Sequence, residues 1–141
     1  MNINQLLTQI LEANQCEAIT FQEIDQQATL IFSRTLSEKI YNIGLFYTQQ
    51  DDLIIFQLYH RLENAYNKPE TDFYEVINDL NSKSVLGNLL FVQENDDYYL
   101  AYKSNYFMPL ESLTSNRHQD FSLFLKTSFE VLGILDSSVN A

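Results

Sequence analysis

The chain has 141 residues, enough for one domain with a buried core, and its 10 Phe and 9 Tyr supply large core side chains. Eight basic residues against 19 acidic ones give a net charge of −11, a field that repels phosphate backbones and anionic membranes and so argues against direct nucleic-acid or membrane binding. A single cysteine, Cys16, excludes an intrachain disulfide, and the N-terminus lacks the basic and apolar regions of a signal peptide, so the expected location is cytoplasmic.

The first segments predict one helix and two strands. The helix is indicated by apolar residues at i, i+3, i+4, i+7 and i+8, and it should end near Asn14. Its apolar positions are Ile3, Leu6, Leu7, Ile10 and Leu11. Alternating apolar residues then predict a strand around Ile19 and Phe21 and another over Ala28, Leu30 and Phe32, joined by a turn at Asp25-Gln26.

A hairpin is predicted from Ile40–Tyr47 and Leu53–Tyr59, joined by the polar residues 48–52. Both strands are apolar on both faces, whereas a sheet with one solvated face should alternate cleanly between apolar and polar residues. Something is therefore expected to cover the second face: a helix, a second subunit or a bound ligand chain.

The C-terminal half is predicted to form a helix, two strands and a second helix. A polar connection is expected over residues 63–70, and it is too short for a domain linker, so residues 1–141 are expected to form a single domain. Thr71 is expected to cap a helix, strands are predicted at Leu86–Gln93 and Tyr98–Ser104 around a turn at residues 94–97, and a long helix closes the chain. The apolar positions of the two helices are Phe73, Val76, Ile77 and Leu80, and then Phe121, Phe124, Leu125, Leu132 and Leu135.

Together these elements predict an α+β domain, an antiparallel sheet with N-terminal, middle and C-terminal helices. The connections between the first strands are too short for the crossover helices of a parallel sheet.

The residues that carry chemistry are few and scattered. His60, His118 and Cys16 lack the spacing of a zinc site, and they are expected to be a buried structural cysteine and two surface histidines, although the fold could still bring a Cys–His pair together. Asp51-Asp52 and Asp96-Asp97 are expected to stabilise hairpin turns. The three glycines are isolated, so no phosphate loop is formed. We therefore predict no catalytic, cofactor-binding or metal-binding residue, no cofactor and no enzyme activity.

An aromatic series, Tyr98, Tyr99, Tyr102, Tyr106 and Phe107, could be mistaken for a base-stacking platform. Such platforms need basic surroundings, and only Lys103 lies among these residues, so core and interface packing is favoured.

The order of elements resembles the type III secretion chaperone-like superfamily, particularly its YbjN-type members. The likeness is most specific in residues 73–81, a helix ending in Leu80-Asn81, which leads into residues 87–92 and then residues 98–102. Asn81 lies where that family often has an asparagine, and residues 108–113 are similar to its loop into the final helix. The resemblance implies a compact α+β domain, commonly dimeric, that binds polypeptides or acts in regulation without catalysis.

The expected function is that of a non-enzymatic, chaperone-like or regulatory domain that holds another protein and forms a homodimer. The acidic field favours a basic partner. Two alternatives stay open: an acidic immunity-type or nucleic-acid-mimicking inhibitor, and a small-ligand-binding regulatory module with an apolar pocket.

Overall fold

The computed structural model describes residues 2–24, 27–66, 70–115 and 117–140. The predicted turn at Asp25-Gln26 lies outside them. In chain order the elements are α1 Ile3–Ala13, β1 Glu17–Ile24, β2 Gln27–Leu36, β3 Lys39–Gln50, β4 Leu53–Tyr66, α2 Thr71–Lys83, β5 Asn88–Glu94, β6 Asp97–Pro109, α3 Leu110–Thr114 and α4 Gln119–Val139. The predicted α+β class with N-terminal, middle and C-terminal helices is confirmed.

All six strands form one antiparallel sheet in the order β1-β2-β3-β4-β6-β5. Residues directly opposite each other in neighbouring strands share a face, so the register divides the side chains into two sets. One row runs through Leu30, Leu45, Leu58 and Ser104, and a neighbouring row runs through Tyr47, Phe56 and Tyr106. These rows define the face on which the helices pack.

The core lies between that face and the helices. Leu7 and Leu11 of α1, Leu45 and Leu58 of the sheet, and Leu125 of α4 are fully buried. The ring of Phe56 stacks on that of Phe121 with centroids 4.3 Å apart. Burying a leucine or phenylalanine side chain of this kind contributes about 1.5–3 kcal/mol, which explains why the apolar stripe of α4 docks on the centre of the sheet.

Local signals fix the helix ends. At α1, the side chain of Asn2 accepts a hydrogen bond from the Gln5 backbone N–H while the Gln5 side chain accepts one from the Asn2 N–H, which satisfies two of the backbone donors left free at a helix start. This helix ends at its C-cap Asn14, as predicted. Thr71, however, is the first residue of α2 and not its cap, because Glu70 holds the N-cap position without a side-chain hydrogen bond.

Several further boundaries differ from the sequence prediction. Residues 48–50 of the connection predicted over residues 48–52 belong to β3, and the turn predicted at residues 94–97 is confined to 95–96. The connection over residues 63–70 is wrong in its first half, because β4 continues to Tyr66 through an irregularity between Arg61 and Ala65. The fifth strand begins at Asn88 and not at Leu86. The expected loop over residues 108–113 is instead the end of β6 followed by the short helix α3.

Candidate functional site

The opposite face of the sheet carries no helix from the described part of the chain. Its members include Phe46, Ile55 and Tyr59, which are partly buried, and three residues that are clearly exposed. Ile40 is 63% exposed, Leu53 40% and Phe107 69%. The predicted doubly apolar character of β3 and β4 is therefore present, and the described helices leave the second face uncovered.

The centre of this uncovered face is free of carboxylates. The paired rows from Leu53–Pro109 to Tyr59–Lys103 and their partners in β3 hold, on this face, apolar side chains, the polar side chains of Thr48, Gln50, Gln57 and Asn105, and the cation Lys103. None of the 19 acidic residues of the chain lies in these rows. Its Phe46 and Tyr59 rings contact each other edge to face, with centroids 6.4 Å apart.

The two outer edges of the sheet differ. At β5, the Asn81 side chain donates to the Leu89 carbonyl oxygen at 2.8 Å and accepts from the Leu89 N–H at 2.7 Å. The amide thus occupies the outward backbone groups of Leu89, one of the positions at which an added strand would pair. Before β5, Gly87 has φ +72°, and a Cβ there would lie 2.7 Å from the Lys103 carbonyl oxygen, so only glycine allows the backbone to approach β6 this closely.

A second region of interest is a polar cluster buried under the C-terminal end of α4. The Asp136 carboxylate accepts hydrogen bonds at its Oδ2 from Lys39 Nζ at 2.7 Å and from the Tyr41 hydroxyl at 2.6 Å. Its Oδ1 accepts from Asn140 Nδ2 at 2.7 Å. The side chain of Asp136 is only 4% exposed, against 39% for Lys39. Burial and the neighbouring carboxylate raise the pKa of Tyr41, so its hydroxyl stays protonated and remains a donor to Asp136.

His60 belongs to the same cluster and corrects the prediction of two surface histidines. It is buried, its ring lies edge to face against Tyr41 at 5.2 Å, and its Nδ1 lies 2.6 Å from the Asn42 carbonyl oxygen, to which it donates. Burial lowers its pKa, so the ring is neutral at pH 7. His118 is the N-cap residue of α4 and is partly exposed.

An open groove of about 930 Å³ lies above the Asp136 cluster. Two sides form it: the turn between β2 and β3 with its flanking residues, and the last turns of α4. Its lining includes Leu36, Ser37, Lys39, Phe129, Gly133 and Ile134.

Two features at or beside this groove cost local stability. Ser37 and Glu38 form the two-residue turn between β2 and β3 and both have the positive φ that such a turn requires, 49° and 70°, at a cost of roughly 1–2 kcal/mol per residue for side chains of this kind. The turn at Asn95-Asp96 has similar angles, but Asn and Asp are residue types that adopt this conformation readily. Gly133 lies inside a helix, where glycine costs about 1 kcal/mol relative to alanine.

The remaining sequence candidates have structural roles. Cys16 is buried, and burial raises the pKa of its thiol to about 12, so it is not a ready nucleophile. Asp51 and Asp96 lie in hairpin turns, as predicted. In the aromatic series, Tyr102 is fully buried and donates to the Leu86 carbonyl oxygen, while Arg61 lies 4.1 Å from the centre of the Tyr99 ring.

Within the described residues, no group of three or more His, Cys, Asp or Glu side chains is placed to hold a metal ion. None of the helices in that part of the chain is both long and apolar enough to cross a membrane.

Sequence reasoning named no site residue and so missed the Asp136 cluster. One signal was present: Asp136 follows Leu132 by four residues and Phe129 by seven, which places a carboxylate on the apolar stripe of a helix. The partners of Asp136 could not be found in this way, because Lys39 and Tyr41 lie 97 and 95 residues away.

The fold places the chain among α+β domains in which helices pack on one side of an open antiparallel sheet. A solved structure with this fold is that of YbjN from E. coli, described as a candidate transcription regulator. It superposes with a TM-score of 0.53 at 14% sequence identity, covering 96% of this chain and 90% of that one. The likeness shows a YbjN-like fold, and at this identity it extends no further. Comparisons with protein families and with curated proteins give no match.

Proposed function

We propose that this chain is a non-enzymatic, protein-binding regulatory domain that holds a segment of another polypeptide against the uncovered face of its sheet, in the manner of a chaperone. The observation that carries the proposal is the uncovered face itself, where Phe107 and Leu53 are exposed in neighbouring paired rows that hold no carboxylate. Exposed apolar surface of this kind is typical of interaction sites.

Two features indicate the chemistry of the partner: the net charge of the chain, which acts over a long distance, and the side chains at the contact surface. The net charge of −11 attracts a basic protein from a distance and speeds the encounter. The contact itself is apolar, because the centre of the uncovered face offers aromatic and aliphatic side chains together with amides. A regulatory role is supported by the fold shared with YbjN, described as a candidate transcription regulator, and a cytoplasmic location suits a chain whose one cysteine is a buried thiol.

A second copy of the chain is the other occupant that this face would accept. Two copies can meet there without bringing carboxylates together, and symmetric dimers are the commonest oligomers. Light scattering at micromolar concentration should report a dimer in that case. A monomer would leave the face to a client polypeptide.

Affinity capture with the full chain as bait, at low and high salt, tests the proposal. The matched variants are Phe107→Asp on the uncovered face and Val85→Asp, which lies outside the sheet and is 82% exposed. We expect a partner whose retention survives high salt, is kept by Val85→Asp and is lost with Phe107→Asp, since a central aromatic contact is worth about 2–4 kcal/mol.

The rival functions give different results in the same experiment. An immunity-type or nucleic-acid-mimicking inhibitor binds through its carboxylates, so its partner should dissociate as salt rises and should be indifferent to Phe107→Asp. Recovery of no protein partner at either salt would contradict protein binding and favour the ligand-binding module.

A further inference from the structure

The groove between the β2–β3 turn and the end of α4 has features that the protein-binding proposal does not use. We propose that it binds a small amphipathic monocarboxylate, with the carboxylate at the Lys39 ammonium and the apolar body along Leu36, Phe129 and Ile134. The groove volume of about 930 Å³ lies within the range of roughly 300–1,000 Å³ that holds small ligands in proteins.

Lys39 provides the head-group contact. An ammonium has three donors, and within the described residues the structure gives Nζ one hydrogen bond, to Asp136, and one ring contact, with Tyr41 at 5.1 Å. Asp136 is held in turn by Tyr41 and Asn140, so the ammonium is fixed in place while its side chain stays 39% exposed. Donors remain for an incoming carboxylate, and a charge-assisted hydrogen bond of this kind is among the stronger ones.

The surrounding charges limit the ligand to one negative charge. Arg34 adds a second cation near the groove, with its guanidinium carbon 5.7 Å from the centre of the Phe129 ring. Against these two cations stand the Asp136 carboxylate that Lys39 already pairs with, Glu130, an exposed residue of the lining, and the net charge of −11. A nucleotide or another polyanion would be repelled, whereas a single carboxylate can use the donors that Lys39 has left.

The apolar wall explains why an aliphatic body should fit. Ile134 is 65% exposed, and it lines the groove together with its neighbour Gly133. A Cβ on Gly133 would meet only Leu36 Cδ1, at 4.0 Å, so packing within the chain does not require this glycine. Because Gly133 has no side chain, space remains between the helix backbone and Leu36. Ser37 lines the opposite wall, where the two-residue turn between β2 and β3 holds it in place.

The test titrates the full chain with decanoate, decanol and decyltrimethylammonium, each below its micelle concentration, by isothermal calorimetry. We expect saturable binding of decanoate, binding about tenfold weaker for decanol, and none for the ammonium compound. Gly133→Leu places a side chain in the groove and should abolish decanoate binding with unchanged circular dichroism. Phe107→Ser alters the uncovered sheet face and should leave decanoate binding unchanged.

Lys39→Arg gives a further check, because it keeps the cation and should retain decanoate binding in a folded protein. The inference is overturned if decanoate does not bind saturably, if decyltrimethylammonium binds equally well, or if Gly133→Leu leaves the affinity intact. Loss of decanoate binding in Phe107→Ser, with Gly133→Leu unaffected, would assign the ligand to the sheet face and would also refute it. These outcomes are independent of whether a protein partner is captured.

Discussion

The ion pair between Lys39 and Asp136 should respond very unequally to removal of its two members. Lys39→Met leaves the Asp136 carboxylate, whose side chain is 4% exposed, without its cation. Asp136→Asn leaves Lys39, 39% exposed, where water can solvate it. Stranding a buried charge costs about 3–5 kcal/mol. Because Tyr41 and Asn140 still donate to Asp136, we expect the lower end of that range for Lys39→Met, about 3 kcal/mol, and about 1 kcal/mol for Asp136→Asn.

Urea unfolding followed by circular dichroism measures the difference. With a slope of about 2 kcal/mol per molar urea, Lys39→Met should move the unfolding midpoint down by about 1.5 M and Asp136→Asn by about 0.5 M. The control is Lys83→Met, which removes an exposed pair with Asp79 and should cost less than about 0.5 kcal/mol. Lys39→Met combined with Asp136→Leu should recover most of the stability, since both charges are then gone. Equal losses from the two single variants would refute the reasoning.

Three further predictions concern buried polar groups. The pKa of His60 is lowered in the folded chain, so the unfolded chain binds the extra proton and stability should fall as pH drops through about 6.5; His60→Gln should flatten that part of the curve of unfolding free energy against pH. Cys16, with a thiol pKa of about 12, should not react with a disulfide reagent at pH 8 until urea unfolds the chain, and fast labelling in native buffer would contradict its burial. Asn81→Ala should lower the free energy of unfolding by about 1–2 kcal/mol, and Asn81→Asp, which keeps the acceptor for the Leu89 N–H, should cost less.

Sequence periodicity was sufficient for the elements whose burial is regular. The helical repeat of α1 and α4 and the alternation in β2 predicted the residues that pack in the core, because one face of each element is buried along its length. The end of β4 could not be predicted in this way. From Glu63 to Ala65 the strand is exposed, so its polar residues look like a loop, although pairing with β6 resumes at Ala65 and the Asn64 side chain donates to Asn140 of α4.

The Asp136 cluster shows a different limit of prediction from sequence. A carboxylate on an apolar stripe signals that it needs partners, but the sequence does not say which of eight basic residues will provide one. Lys39 reaches Asp136 because β3 begins beside the end of α4, and this is a property of the whole sheet. The same holds for His60, whose burial depends on its position opposite Tyr102 in β6 and beside Tyr41.

The two edges of the sheet offer different surfaces to an added strand. The Asn81 amide occupies the outward backbone groups of Leu89 at the start of the β5 edge, whereas among the described residues the backbone of β1 from Thr20 to Ile24 pairs with β2 alone. A strand added at β5 would have to displace that amide or begin beyond Leu89, so we expect an extended peptide or a second copy to pair with β1 first.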